Sequence, residues 1–134
     1  MNERGQATIM VVGLALVCFA IAGLAVDGTR AFLFRRTLQN GADASALAGA
    51  SELDEVLFRN SGGDIVVARD AAENVARSFI VQRGLDVAAS VNASDEAVRV
   101  LLRGAVDTTF LGLVGIDELP VSAEAEGTPI PGAP

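Results

Sequence analysis

The chain has 134 residues, a formal net charge of −7, one Cys, and no His, Trp or Tyr. These counts exclude Ser-His-Asp and Cys-His catalytic arrangements, disulfides within the chain, and zinc sites built from Cys and His. All ten basic residues are Arg, and residues 51–134 hold 14 acids against 6 Arg, about −8. So acidic a segment is a poor nucleic-acid binder, because phosphate contacts need cations.

Residues Ala7 to Val26, ATIMVVGLALVCFAIAGLAV, form a run of twenty without a charge. That is the length a helix needs to cross the hydrocarbon core of a bilayer. A 134-residue chain is too small to surround a helix that is apolar on every face. The run is therefore read as a single-pass transmembrane helix. The rival reading is a cleaved signal peptide, with Arg4 as its positive start and Ala20 and Ala22 as an A-x-A-like site. A signal-peptide core is about 7–15 residues, shorter than this run. Cys18 lies inside the run and reads as a small apolar packing residue. Arg4 precedes the run and Arg30, Arg35 and Arg36 follow it, so charge counting alone would put the C-terminal side in the cytoplasm.

Residues 27–50 continue as helix. Ala31, Phe34, Leu38, Ala42, Ala46 and Gly49 recur at three- or four-residue steps and form one face. An unbroken helix over 7–50 would be about 66 Å long at 1.5 Å per residue. Gly28 and Gly41 weaken it by about 1 kcal/mol each against Ala. Asp27 and Arg30, an i,i+3 pair at the membrane exit, are expected to satisfy each other. Gly41, Ser45 and Gly49 repeat every four residues as a smooth stripe that lets another backbone approach. Two partners fit it: the chain's own sheet, or another component docked there. The stripe is the candidate helix-packing contact, and Gly41–Ala50 is the segment expected to meet other components.

Arg59–Asp64 reads as a loop on its Gly pair, and a second helix is expected over 65–83. Asp64 would be its N-cap and Gly84 its C-cap. Ala68, Ala72, Val75, Ala76 and Phe79 would be buried, with Arg69, Asp70, Glu73, Arg77 and Arg83 solvated. After Gly84 the period changes to two. Val87, Ala89 and Val91 alternate, Asn92–Glu96 turns, and Val98, Val100 and Leu102 alternate, giving a hairpin with a loop of about five residues. Phe110–Ile116 reads as a helical turn packed on the sheet. Leu119–Glu126 reads as a further strand, and 127–134, with three Pro and two Gly, as a flexible tail. The fold class is α+β: a long N-terminal helix extending into a small domain (27–126) with a second helix and a short antiparallel sheet.

Catalytic and metal motifs are missing. Neither a G-x-x-x-x-G-K-[ST] nor a G-x-G-x-x-G phosphate cradle occurs. The acid pairs Asp54/Glu55, Asp95/Glu96 and Asp117/Glu118 read as solvated charge, and no nucleophile–base pair can be assembled. Asp43-Ala44-Ser45-Ala46-Leu47 comes near a D-x-S-x-S metal motif, but Leu47 replaces its last Ser and the segment falls within a helix. No catalytic, cofactor-binding or metal-ligating residue is assigned, and no small-molecule substrate or nucleic acid is expected.

Residues 4–50 resemble the N-terminal segment of TadG-like proteins of Tad/Flp pilus assembly. The resemblance rests on Arg4-Gly5-Gln6, the apolar run, Leu24-Ala25-Val26-Asp27, Arg35-Arg36, and the block from Leu38-Gln39-Asn40-Gly41 to Ala48-Gly49-Ala50. Phe110–Ile116 followed by Val121-Ser122-Ala123-Glu124-Ala125 also looks similar. The resemblance implies a non-enzymatic, pseudopilin-like envelope protein, with its C-terminal domain outside the cytoplasmic membrane and other pilus-assembly or secretion components as partners. That side opposes the charge count, and the acidic domain favours it. Long TadG-like proteins often carry a von Willebrand A domain, and none is read here. Prepilin cleavage sites place Glu five residues after Gly, whereas Met10 follows Gly5 at that distance. The alternative is a secreted or anchored binding module whose helix serves only for export.

Overall fold

A computed structural model describes residues 3–52, 69–94 and 96–129. The expected loop at 59–64, the Asp64 cap and Ala68 lie outside them, as do Asp95 and residues 130–134. In chain order the elements are helix α1 (Glu3–Ala50), helix α2 (Arg69–Gln82), strands β1 (Ala88–Ala93) and β2 (Val98–Asp107), a 3-10 turn (Leu111–Val114) and strand β3 (Glu118–Gly127). The strands form one antiparallel sheet in the order β1-β2-β3. The α+β expectation holds.

Two compact units share these elements. One joins α1 up to Leu33 with Ala105–Leu119; the other holds Phe34–Gly104 and the chain from Pro120.

The second unit contains the core. Leu38, Ala42, Ser45, Ala46 and Ala50 of α1 are buried, at the spacing that puts them on one helical face. Ala72, Ala76 and Ile80 of α2 repeat every four residues and are also buried. The sheet adds Val91, Ala93, Val98, Val100, Leu102, Ala123 and Ala125. Ile80 takes a core place that the sequence had given to Val75 and Phe79; both of these are half-buried, and Arg83 lies over the Phe79 ring at 4.9 Å.

Strands β1 and β2 pair from Ala88↔Arg103 to Ala93↔Val98, so four residues make the turn. Ser94 closes it: its N–H donates to the Ala97 carbonyl at 2.8 Å, and its Oγ accepts from the Ala97 N–H at 3.1 Å. Gly84 ends α2 with φ +63°, a left-handed conformation that favours glycine. Gly127, expected to open the tail, is the last residue of β3.

The edge strand β1 would expose unpaired backbone groups, which invite pairing with other chains. Two side chains of α2 meet them. Glu73 Oε1 accepts from the Ala93 N–H at 3.1 Å, and Arg77 Nη2 donates to the Val91 carbonyl at 3.3 Å. Both had been read as solvated charges; the strand edge beside them gives each a backbone partner. On β3, Gln39 Nε2 of α1 donates to the Glu124 carbonyl at 3.0 Å.

Along the first half of α1, Gly23 is the one buried residue among positions 5–26. The helix is long and apolar enough to cross a membrane, with a mean hydropathy of 2.8 in its most apolar stretch. Cys18, expected to pack, is exposed on this bare surface because no other element covers it.

Candidate functional site

Three features of the structure bear on function: the small-residue stripe, the carboxylate at the end of the apolar run, and the bare helix itself.

Gly41, Ser45 and Gly49 are buried, and each faces this chain's own domain. A Cβ on Gly41 would lie 2.8 Å from Leu85 Cδ1. One on Gly49 would lie 2.8 Å from the Ala72 carbonyl oxygen of α2 and 3.1 Å from Val98 Cγ1 of β2. Ser45 turns its hydroxyl back along the helix, donating to the Gly41 carbonyl at 2.6 Å. Gly127 of β3 lies against the backbone of Ala46, where a Cβ would be 2.5 Å from its carbonyl carbon. The stripe thus brings the α1 backbone close to α2 and β2, and Ala46 beside it meets β3.

Asp27 follows the uncharged run directly, and its side chain is buried. Oδ1 accepts from the Thr109 N–H at 3.0 Å; Oδ2 accepts from the Phe110 and Leu111 N–H groups, each at 2.8 Å. The first N–H groups of a helical turn have no partner within it, and here one carboxylate from another element supplies the acceptor. Burial raises the carboxyl pKa. The three backbone N–H groups, with the Arg30 charge added, outweigh that and hold it below its ordinary 3.8. The expected Asp27–Arg30 pairing holds as charge attraction but not as a hydrogen bond: Arg30 Nη1 donates to Thr109 Oγ1 at 2.7 Å, and Asp27 spends its hydrogen bonds on the loop backbone. A helix neighbour was visible in the sequence, whereas amides more than 80 residues away were not. The one available signal was a solitary acid ending a twenty-residue uncharged run.

The loop that Asp27 holds is the 3-10 turn. Gly115 ends it at φ +87°, and the Ile116 N–H returns to the Leu111 carbonyl at 3.1 Å. Thr108 closes the neck, donating its N–H to the Asp117 carbonyl at 2.9 Å and its hydroxyl to the Ile116 carbonyl. The turn was expected against the sheet; it packs on α1, where Phe110 fills the space left by Gly23. A Cβ at Gly23 would lie 2.7 Å from Phe110 Cγ.

The remaining polar groups are committed locally. Asp43 is exposed and accepts from Gln39 at 3.0 Å, while Ser45 is buried, so the D-x-S remnant does not converge on a point. Arg99 pairs with Glu126 at 2.7 Å and Glu124 at 3.4 Å beside a shallow depression lined in part by Asn92, Ser94 and Thr128. Among the described residues, no buried side-chain polar atom lacks a partner, and no group of three acids, His or Cys could hold a metal.

No curated protein and no solved structure matches the chain. Residues 5–52, from the start of the bare helix to the end of the small-residue stripe, match the family model described as putative Flp pilus-assembly TadE/G-like, a likeness that covers 48 of the 134 residues.

Proposed function

We propose that this chain is a non-enzymatic, pseudopilin-like component of a Tad/Flp-type pilus-assembly or related secretion apparatus. It crosses the membrane once through Ala7–Val26, keeps residues 1–6 in the cytoplasm, and holds residues 27–126 outside, followed by a tail. The observation that carries this reading is the uncovered first half of α1, lying inside the segment that matches the family. Ile9, Met10, Leu14, Leu16, Phe19 and Ile21 are each more than 60% exposed. A contiguous apolar surface of this kind is a liability in water and is covered by lipid in a bilayer. The net negative charge of residues 51–134 suits the outer side. In this reading Gly41, Ser45 and Gly49 hold the pilin-like domain on α1, and the contacts with other pilus components lie elsewhere on the surface.

The test has two arms. In a strain lacking the protein, wild type should restore surface pili, and normal pili without it would refute an assembly role. In intact cells a Thr128→Cys, Cys18→Ser chain should react with a membrane-impermeant maleimide. Reaction only after permeabilisation would reverse the orientation, and recovery in the soluble fraction would sink the anchor. Restoration of pili by a chain with a scrambled Ala7–Val26 would favour a helix needed only for export.

A further inference from the structure

We propose that the hairpin tip Phe110–Ile116 is a second membrane contact, seating Leu113, Val114 and Ile116 in the headgroup–acyl boundary beside α1. The inference rests on the anchor reading above and adds a site to it. Thr109 lies beside Asp27 and Arg30, and Phe110 lies against Gly23. Gly23 is one helical turn before Asp27, about 6 Å further into the apolar run at 1.5 Å per residue. The tip therefore descends along α1 past the residue that ends the run. Interfacial elements sit about 5–10 Å into this boundary, the depth at which Phe110 meets α1.

Its chemistry fits lipid. Leu113 is 83% exposed, Val114 74% and Ile116 44%, and no charged residue occurs from Phe110 to Ile116. The acids Asp107, Asp117 and Glu118 flank the tip, which places charge at the neck and apolar side chains at the end. Unpaired backbone groups are costly in lipid. Here the N–H groups of Thr109, Phe110 and Leu111 bond Asp27, and those of Leu113, Gly115 and Ile116 bond carbonyls within the turn. Asp27 thus acts as a positioning residue that keeps the tip against the helix. A tip and a span inserted together also fix the rotation of α1 about its axis.

The chain lacks Trp, so a single introduced Trp reports alone. Leu113→Trp and Val17→Trp are compared in phosphatidylcholine–phosphatidylglycerol vesicles brominated near the carbonyl end or near the terminal methyl of the acyl chains. The expected result is blue-shifted Leu113→Trp emission, quenched most by the shallow bromines, with Val17→Trp quenched most by the deep ones. Val114→Trp should match Leu113→Trp, which guards against a local disturbance by either substitution. Quenching of Val17→Trp without quenching of both tip variants would overturn this proposal and leave the anchor standing. Loss of Val17→Trp quenching would overturn the anchor itself. Tip emission that shifts with protein concentration and ignores bromine would mean that another copy covers the tip, and would also overturn it.

Discussion

Gly49→Ala tests whether the small-residue stripe sets the distance between the two helices. The new Cβ would sit 2.8 Å from the Ala72 carbonyl oxygen, 3.1 Å from Val98 Cγ1 and 3.2 Å from Ala76 Cβ, where ordinary contact begins at 3.4 Å. A backbone carbonyl inside α2 cannot rotate away, so the helices must part by roughly 0.6 Å, the difference between 3.4 and 2.8. Overpacking of this kind costs about 1–3 kcal/mol. Ala in place of Gly returns about 1 kcal/mol of helix propensity. With an immovable obstacle the cost falls at the upper end, leaving about 2 kcal/mol of net loss. For a domain of this size that lowers Tm by roughly 8–16 °C. Gly28→Ala is the control: nothing lies within 4 Å of its new Cβ, so the same substitution carries only the propensity gain. Both are read by circular-dichroism melting of the full chain in detergent micelles. A Gly49→Ala chain that melts at or above wild type would refute the close approach of α1 and α2.

Leu38 is fully buried, and Leu38→Ala should cost about 2–5 kcal/mol and lower the same melting temperature by at least about 8 °C. Asp27→Ala should abolish the hydrogen-exchange protection of the Thr109, Phe110 and Leu111 amides while leaving that of α2 unchanged. In the wild type, the lowered carboxyl pKa means that the clamp is fully present above the ordinary value of 3.8. It is lost as pH falls through the lower folded-state value. Protection of these three amides, corrected for intrinsic exchange, should therefore be flat from neutral pH down to 3.8 and fall only below it.

What the sequence revealed followed from periodicity. The face Leu38–Ala42–Ala46 and the alternation Val98–Val100–Leu102 were legible because burial on one side leaves a repeat of 3.6 or 2 residues. The bare run showed itself by length alone. The clamp was hidden because its acceptors and donors are far apart in sequence, and a backbone N–H leaves no mark on residue identity. Glu73 and Arg77 were hidden differently: a charged side chain facing a strand edge looks the same in sequence as one facing water. The stripe of Gly41, Ser45 and Gly49 announced a close approach without naming the partner, since smallness records that a neighbour is near and says nothing of which one.

The Asp27 clamp also has a mechanical side. A force drawn along α1 reaches the hairpin at 108–117 through one carboxylate gripping three consecutive amides. The three bonds share the load and must fail nearly together, and Arg30 on Thr109 Oγ1 adds a fourth strand to the tether. Both legs of that hairpin run into strands, β2 on one side and β3 on the other, so tension spreads into two ladders instead of peeling one chain end. Tension applied at the N-terminal end of α1 would load the Gly23–Phe110 contact and then the Asp27 bonds.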